Sequence, residues 1–535
     1  MVFKIDLSKA YDRISWIYLR LLLTHLGFDY TFISWIMGCI SNVSYAILIN
    51  GAASPFFNSQ RGLRQGCPLS PLLFLLVAEG LSRLIHKARR EEKVKGIEVA
   101  INLFITHLLF VDDILLFSNG SAYELKELKG ILDLFLKATG MQINFKKSQI
   151  SMANMGRRES LMTQNLFPVH IQQLESPFKY LGFWLKPSAY KKEDWNWLIA
   201  KIEGRISHWS HKWLSRAGRL TLIKLVLLAI PVYWAALTWV PKGIMEKIRR
   251  ICSKFLWAGA KDSSVLPWVA WDKVARPKEW GGWGIKRLPE FGLSLAAKSS
   301  WRLISMENLW TRVVRRKYID PTPLEDWIRS QEKRQKNASV IWKATVEAFS
   351  VIEQGLAWKN GDGRLCRIVR DPWVGCNESY ALSPGLLRQL DHKGIFTLNQ
   401  IEKFGHSTIW GQAWKSAEDL GLNIRWKNEW TSFVQELQRS NVRIKEGPDA
   451  LIWAQGDSGY YSPKDGYSFL MQKKGWGDPE WWAKLIWKIN GPAKAKILIW
   501  CLLKKNVPTW DSLQARYLVG PGRCPGIRIV PEICF

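Results

Sequence analysis

Two adjacent aspartates occupy a position where charged side chains are costly. Asp112 and Asp113 lie between two apolar runs, Thr106–Phe110 and Ile114–Phe117, whose pattern predicts a β-hairpin with both carboxyls at its tip. Like charges this close repel each other, and apolar surroundings disfavour their ionised forms. A divalent cation would relieve both effects, and carboxylate oxygens are ligands that Mg²⁺ prefers. The alternative for the dipeptide alone is a turn that is exposed to water and binds no metal.

A third carboxylate, Asp6, ends another apolar run that begins at Val2. This run predicts a strand, Val2–Asp6, which should pair beside the hairpin in an antiparallel sheet. Asp6, Asp112 and Asp113 could then hold two Mg²⁺ or Mn²⁺ ions about 3.5–4 Å apart, the arrangement used for in-line phosphoryl displacement. The three aspartates are therefore predicted to be metal-binding and catalytic residues.

The elements around these carboxylates follow from hydrophobic periodicity and helix signals. A helix is expected over Lys9–Leu26, with the apolar residues Ile14, Ile17, Leu21 and Leu22 on one face. Another is expected to start at the Ser70-Pro71 pair, with Ser70 as its cap. A strand is expected over Tyr45–Asn50. The remaining predicted elements of this region are a helix over Tyr123–Thr139 that ends at Gly140 and a strand over Lys179–Leu185. Strands mixed with helices predict an α+β fold.

The rest of the chain differs in composition, because 29 of the 31 tryptophans lie at or after residue 184. Helical patterns dominate there, and Asn360–Gly363 is predicted to be a hairpin turn between the strands Leu356–Lys359 and Arg364–Val369. Leu220–Val240 has the length and apolarity of a membrane span. Lys224 and Pro231 lie inside it, which favours a buried helix broken near the proline over a membrane anchor.

Charge and cysteine usage restrict the class of partner. Seventy-six Lys and Arg residues against 46 Asp and Glu residues give a formal charge of +30, which favours a polyanionic partner, nucleic acid first and an anionic membrane second. A basic surface without a dedicated partner is the alternative. With Leu220–Val240 interpreted as a buried helix, no membrane partner is expected. The eight cysteines are sparse and no secretory signal opens the chain, so the expected location is intracellular, in nucleus or cytoplasm.

Five segments, in order, resemble the palm motifs of reverse transcriptases. The amino-acid sequences of these segments, above all that of the second, resemble those of the non-LTR (LINE-type) retrotransposon branch in its plant form. The segments are Lys4–Asp12, Arg64–Pro71, Phe110–Asp113, Gly140–Ser148 and Tyr180–Gly182. Three later segments resemble regions downstream of the same polymerase: Trp209–Gly218, Gly281–Leu288 and Trp358–Trp373.

The resemblance implies an RNA-directed DNA polymerase that takes an RNA template, a DNA primer and dNTPs. Asp6 and Asp112 match the two-metal ligands and Asp113 the weaker third. Tyr11 matches a steric gate that excludes a ribose 2′-hydroxyl, although a core aromatic is the alternative. In the second motif, Gln65 and Gly66 match contacts to the incoming nucleotide or the template. Lys147 matches a proton donor near the pyrophosphate, with a solvated surface lysine as its alternative.

The resemblance also implies a division of the chain. Residues 1–185 are expected to form the palm and 186–260 a helical thumb-like region. Residues 261–470 are expected to form a tryptophan-rich connecting region, followed at 471–535 by an incomplete zinc-binding-type region.

Two departures from the family lead us to expect weak or absent activity. The fingers strands and the endonuclease that precede the first motif in the family are expected to be missing. Cys524 lacks the paired cysteine of a Cys-x-x-Cys motif and Cys534 comes late, so no zinc is expected. The second hypothesis for function is therefore a non-catalytic, basic nucleic-acid-binding remnant of a retrotransposon. Protein partners are not predicted.

Overall fold

A computed structural model gives the fold of the chain in two compact units, Met1–Ala189 with Arg316–Tyr318, and the remainder. The structure describes residues 1–153, 156–186, 190–209, 214–238, 240–259, 267–330, 333, 335, 338–369, 371, 382–403, 414–440, 442–476 and 480–507. Each unit is described by itself below.

The first unit is a mixture of strands and helices, in agreement with the predicted α+β class. Its helices are α1 Ala10–Arg13, α2 Trp16–His25, α3 Tyr30–Ser41, α4 Ser70–Arg90, α5 Ala122–Thr139 and α6 Arg157–Leu166. Its strands are β1 Val2–Asp6, β2 Ser44–Tyr45, β3 Leu48–Ile49, β4 Ala52–Ala53, β5 Phe57–Asn58, β6 Ile97–Ala100, β7 Leu103–Ile105, β8 His107–Phe110, β9 Asp113–Phe117, β10 Gln149–Met152, β11 His170–Gln173, β12 Phe178–Tyr180 and β13 Phe183–Leu185.

A five-stranded sheet in the order β11-β10-β1-β9-β8 organises this unit. The central strand β1 is antiparallel to both β9 and β10, while β10 and β11 are parallel. Phe3, Ile5 and Leu7 alternate toward one face, where they are buried among residues of α2, α4 and α5. Lys4 and Asp6 fall on the opposite, partly open face.

The predicted helix over Lys9–Leu26 is wrong in its continuity and in half of its core face, because Ile14 and Leu22 are buried as expected but Ile17 and Leu21 are not. It is split into α1 and α2, because Ser15 caps α2 by accepting a hydrogen bond from the amide of Tyr18 at 3.4 Å. The break changes the helical phase, so Ile17 and Leu21 are 75% and 65% exposed.

Three smaller expectations in this unit also needed correction. Helix α4 begins at Ser70, but the Ser70 hydroxyl donates to the carbonyl of Arg64 at 2.7 Å and does not cap the helix. The predicted strand Tyr45–Asn50 covers only the last residue of β2 and the short strand β3, and Lys179–Leu185 lies in a hairpin formed by β12 and β13. The aspartate-tipped hairpin and the helix that ends at Gly140 are confirmed.

The second unit is mainly helical. Its helices are α7 Asn196–Ser207, α8 Arg216–Leu222, α9 Val232–Leu237, α10 Lys242–Ala258, α11 Trp271–Val274, α12 Leu288–Ser305, α13 Leu309–Tyr318, α14 Leu324–Arg329, α15 Val340–Glu353, α16 Pro384–His392, α17 Lys427–Arg439, α18 Pro463–Gln472, α19 Ala483–Lys488 and α20 Ala493–Leu503. One strand pair completes it, β14 Leu356–Lys359 with β15 Ala450–Trp453.

Buried tryptophans form much of the core of this unit. Trp283 packs against Trp257 and Trp500 with ring centroids 5.8 and 5.3 Å apart, and the indole of Trp500 donates to the carbonyl of Gly281 at 2.7 Å. Residues far apart in sequence therefore share one core.

The predicted hairpin turn at Asn360–Gly363 is wrong, because β14 pairs with β15 and not with Arg364–Val369. The buried carboxylate of Asp449 accepts hydrogen bonds from the amides of Gly361, Gly363 and Leu365 at 2.7–3.0 Å, and from Cys366 at 3.3 Å. This long-range acceptor organises the loop in place of a local strand pair.

The stretch Arg216–Leu237 is long and apolar enough to cross a membrane by length and composition, which is weak evidence because core helices pass the same test. The predicted break is confirmed: a π-helical turn spans Ile223–Leu227, and Pro231 directly precedes α9. Lys224 lies within the stretch and donates a hydrogen bond to the carbonyl of Trp283. The absence of a membrane partner stays a prediction.

Candidate active site

The register of the central sheet brings two of the predicted aspartates together. Asp6, the last residue of β1, lies directly opposite Asp113, the first residue of β9. Directly opposed residues of antiparallel strands share a face, with Cβ atoms about 4.5–5.5 Å apart. The predicted pairing of β1 beside the hairpin is confirmed.

The turn of the hairpin carries Asp112. Phe110 pairs with Asp113, so the β8–β9 connection consists only of Val111 and Asp112. Val111 has a φ of 53°, which is costly for a β-branched residue but is the sign that tight two-residue hairpin turns require. The backbone is therefore strained where two carboxyls must lie next to each other.

The pKa of Asp113 is shifted in the direction that the sequence predicts for closely spaced carboxyl groups in apolar surroundings. Burial raises the pKa of Asp113, the charges of Asp112 and Asp6 raise it further, and the charge of Lys4 opposes them. Lys4 lies two residues before Asp6 on the same face of β1, and its ammonium also donates to the carbonyl of Lys179 at 2.8 Å. The charge of Lys4 thus offsets part of the rise in the pKa of Asp113.

This set of oxygen donors fits Mg²⁺ or Mn²⁺ in chemistry. Two carboxylates are opposed across β1 and β9 and a third is adjacent, so a bound divalent cation would remove a repulsion that the fold otherwise bears. Among the described residues, no group of three or more His, Cys, Asp and Glu side chains is already gathered as a metal cage. Because Mg²⁺ keeps several waters and takes substrate phosphates, such a cage is not required.

Backbone hydrogen bonds attach the fourth motif to Asp6. The amide of Asp6 donates to the hydroxyl of Ser148 at 3.0 Å, and its carbonyl accepts from the amide of Asn144 at 2.8 Å. The turn between these two residues contains Lys147, whose amide donates to the carbonyl of Asn144 at 3.1 Å. Lys147 is therefore exposed on a turn fixed to the end of β1.

Tyr11 lies on α1, just after the end of β1. Its ring stacks on Phe74 of α4 with centroids 4.7 Å apart and planes at 13°. Burial raises the pKa of its phenol, and the charge of Asp112 raises it further, which puts the phenol within electrostatic range of that carboxylate. The tyrosine is half-buried and packs on Phe74, while its role as a steric gate stays a prediction.

The second motif forms a loop held against α1. The amides of Gly62 and Leu63 donate to carbonyls of the α1 region, Ile14 and Tyr11, at 2.8 and 2.7 Å. The side-chain amide of Gln65 donates to the carboxylate of Asp12 at 3.1 Å. Gly66 has a φ of 83° and open space around its α-carbon, so a ligand could approach its backbone closely.

A cavity of about 480 Å³ beside Gln65 contains functional candidates that sequence reasoning missed. Tyr45 and Phe57 line one side with their ring centroids 6.0 Å apart, and Arg61 and Arg64 also line it. Aromatic faces combined with guanidinium groups suit a base and its phosphate. The sequence signal for this cavity was the pair of arginines three positions apart beside the second motif. The aromatic pair gave no sequence signal, because β2 and β5 bring it together only in the fold.

The fifth motif is the turn of the β12–β13 hairpin. Leu181 and Gly182 both have positive φ, 47° and 80°, as a tight two-residue turn requires. The predicted turn at Tyr180–Gly182 is therefore confirmed as a structure.

Comparisons with known proteins agree with this arrangement. Residues 1–185 match the family described as reverse transcriptase (RNA-dependent DNA polymerase), and residues 461–529 match the family described as zinc-binding in reverse transcriptase. The first match covers all five motifs, and such a domain implies a polymerase palm fold.

Several curated proteins are similar over longer stretches. A putative ribonuclease H protein of Arabidopsis thaliana is 25% identical over 340 residues, which cover 62% of this chain and 52% of that protein. An uncharacterized 149 kDa protein of transposon TX1 from Xenopus laevis is 25% identical over 52% of this chain and 21% of its own length. A retrovirus-related Pol polyprotein from the type-1 retrotransposable element R2 of Popillia japonica is 25% identical over 36% of this chain and 33% of its own length. The chain therefore spans about half or less of these relatives.

The zinc-binding match weighs, weakly, against the expectation that the chain takes no zinc. Cys524 and Cys534, on which that expectation rested, lie outside the described residues. No zinc ligand set is assigned.

The sheet with its paired aspartates, the motif order and the similarity to proteins of the TX1 and R2 elements converge on one family. Residues 1–185 of this chain are a reverse transcriptase domain of the non-LTR retrotransposon type.

Proposed function

We propose that the first unit catalyses RNA-templated DNA synthesis by two-metal nucleotidyl transfer. The observation that carries the proposal is the opposition of Asp6 and Asp113 across β1 and β9, next to Asp112 in a strained turn. Opposed like charges destabilise a sheet, so their presence at the end of a buried strand points to a site that needs them.

Asp6 and Asp112 would hold the two ions, with Asp113 as the weaker third ligand. Bound Mg²⁺ would lower the pKa of the primer 3′-hydroxyl and neutralise charge on the leaving pyrophosphate. The 3′-hydroxyl would give its proton to solvent water, and its oxygen would form a bond to the α-phosphorus of the dNTP as the bond from that phosphorus to the bridging oxygen of the β-phosphate breaks. In this proposal Lys147, fixed beside Asp6 by the Asn144–Ser148 turn, supplies a proton to the pyrophosphate.

The remaining predicted residues would position the substrates. Tyr11, held by its stacking on Phe74, would lie under the sugar of the incoming nucleotide. Gln65 and Gly66 would contact that nucleotide or the template, and the adjoining cavity with Arg61 and Arg64 would hold unpaired template.

The test is primer extension on an RNA template with a DNA primer, dNTPs and Mg²⁺. Asp6→Asn and Asp112→Asn are each expected to reduce the rate by at least about a hundredfold, since they remove charge stabilisation of the transition state. The matched control is Asp133→Asn, which changes an exposed aspartate that is paired with Lys129 on α5. An unchanged rate of primer extension by Asp112→Asn would contradict the proposal.

We also propose that residues 1–535, assayed alone, extend primers poorly. In the family that the motifs resemble, strands before the first motif hold the triphosphate, and loss of such positioning costs on the order of a hundredfold in rate per misplaced ångström. A chain carrying the corresponding strands in front of β1 is the comparison, each chain beside its own Asp112→Asn control. Equal and robust extension by both chains would contradict this part.

The second candidate function is nucleic-acid binding without catalysis, which the formal charge of +30 favours. This function predicts that the chain of residues 1–535 and the chain with added strands both bind nucleic acid. It also predicts that neither chain shows Asp112-dependent primer extension. The division of residues 186–535 into thumb-like, connecting and zinc-binding-type regions stays a prediction.

A further inference from the structure

The second unit contains a cavity of about 390 Å³ that lies outside the five motifs. Its apolar wall comes from Leu228, Met245, Trp271 and Leu288, each buried and drawn from a different segment of the unit. Cavities that bind small molecules begin at about 300 Å³, a size that accommodates one nucleotide. An aromatic ring with a thioether and branched aliphatic groups makes a wall suited to a flat heterocycle.

The rim of the cavity is cationic, with four basic side chains and two carboxylates. Arg249 pairs with Glu246 through hydrogen bonds of 2.5 and 2.7 Å, and these bonds, with a third from Arg250 at 3.1 Å, lower the pKa of Glu246 to about 2. Arg287 pairs with Asp272 at 2.9 Å. The two lysines on the rim therefore determine the excess charge.

Lys242 and Lys286 have no carboxylate partner within ion-pair distance in the part of the chain that the structure describes. The ammonium of Lys286 lies 3.7 Å from the centroid of the Phe291 ring, a contact that holds the charge at the rim without neutralising it. Burial lowers the pKa of Lys286, so its charge is already partly removed from water. An anion that pairs with a partly desolvated cation gains more than one that pairs with a fully hydrated cation.

We propose that this cavity binds one nucleotide of a single-stranded nucleic acid, with the base against Trp271 and Met245 and the phosphate between Lys242 and Lys286. An apolar wall and two unpaired cations match the two chemical halves of a nucleotide. A chain of formal charge +30 that carries a reverse transcriptase domain also meets such strands. The site lies within the second unit and requires neither Asp6 nor Asp112.

The test measures binding of a fluorescently labelled oligouridylate of about twelve nucleotides by anisotropy, in EDTA and moderate salt. The double variant Lys242→Ala/Lys286→Ala is expected to bind about tenfold more weakly than the unaltered chain, because two phosphate contacts are lost. The matched control Lys247→Ala/Lys273→Ala removes the same charge from exposed positions on α10 and α11 that do not line the cavity, and should cost about twofold. Equal losses in the two double variants would overturn the proposal.

Competition identifies the ligand. Uridine monophosphate is expected to displace the oligonucleotide at lower concentration than inorganic phosphate from the unaltered chain, but not from Lys242→Ala/Lys286→Ala. If phosphate competes as well as the nucleotide, the cavity binds anions without reading a base and the proposal fails. Stronger competition by dodecyl phosphate or a glutamate-rich peptide would assign the cavity to a lipid or a protein and overturn it as well.

The measurement is made without divalent cations and repeated with Asp112→Asn, whose affinity should match that of the unaltered chain. The loss of polymerase activity and the loss of this binding site are therefore separable. Unchanged thermal melting of both double variants shows that each comparison concerns folded protein.

Discussion

At the scale of residues, the chain places like charges next to each other and provides little compensation. Asp6, Asp112 and Asp113 share one end of the β1–β9 pair, and the charge of Lys4 only partly opposes the rise in the pKa of Asp113. The three aspartates that are proposed to bind the metal ions therefore destabilise the domain in the absence of metal. Stability and function should respond in opposite directions to substitution at this site.

Replacement of Asp113 tests this opposition. Because the folded-state pKa of Asp113 is raised, its contribution to stability is fully present below its ordinary value of 3.8 and is lost as the pH rises through the raised value. Asp113→Asn should therefore stabilise the chain at pH 7 by up to about 1 kcal/mol, and the gain should shrink as the pH falls toward 4. Urea denaturation at the two pH values measures it. Asp133→Asn is the control and should give no gain; a destabilised Asp113→Asn at pH 7 would contradict the argument.

Substitutions of Tyr11 distinguish a packing role of its ring from a role in substrate selection. If its ring excludes the ribose 2′-hydroxyl, Tyr11→Val should raise ribonucleotide incorporation relative to deoxyribonucleotide by at least about tenfold, whereas Tyr11→Phe should leave the ratio unchanged. The measurement is the ratio of kcat/KM values for the two substrates in the chain that extends primers. Tyr11→Val also loses its stacking on Phe74, so melting is measured in parallel. A changed melting temperature with an unchanged ratio would leave Tyr11 with packing alone.

At the scale of elements, the predictions that the structure confirms rest on local contacts. The strand Val2–Asp6, the aspartate-tipped hairpin and the helix that ends at Gly140 have their signals within a few residues. The prediction of one helix over Lys9–Leu26 is wrong because Ser15 caps a new helix in the middle of this range. The loop at Gly361 failed because its acceptor, Asp449, lies 88 residues away. The cavity beside Gln65 could not be predicted for the same reason, since non-adjacent elements build it.

The Asp449 carboxylate should hold the loop around Gly361 and the β14–β15 pair together. Asp449→Ala leaves four amides without their acceptor and is expected to destabilise the second unit by about 3–5 kcal/mol. Urea denaturation followed by tryptophan fluorescence measures the loss. Asp362→Ala is the matched control from the same loop, because its more exposed carboxylate accepts one amide hydrogen bond, from Arg364 at 3.2 Å. Equal effects of the two variants would show that the loop does not depend on Asp449.

At the scale of the whole molecule, the formal charge of +30 should dominate encounter with nucleic acid. Single-stranded RNA and DNA are expected to bind with little sequence preference, and affinity should fall by about a thousandfold or more between about 50 and 200 mM salt. Anisotropy with labelled oligonucleotides of different composition measures both properties. A peptide nucleic acid, whose backbone is neutral, is the control and should show almost no dependence on salt. An RNA affinity that stays constant over this range would contradict the prediction.

The position of β1 in the sheet has a consequence for how the domain is made. It leaves the ribosome before both of its neighbours, β9 and β10, which are completed only at Phe117 and Met152. At about 5–20 residues per second, both edges of β1 stay unpaired for on the order of ten seconds. An apolar strand with two open edges is a template for association with other nascent chains. Production of the folded domain should therefore depend on chaperone capacity more than on the stability of the finished sheet.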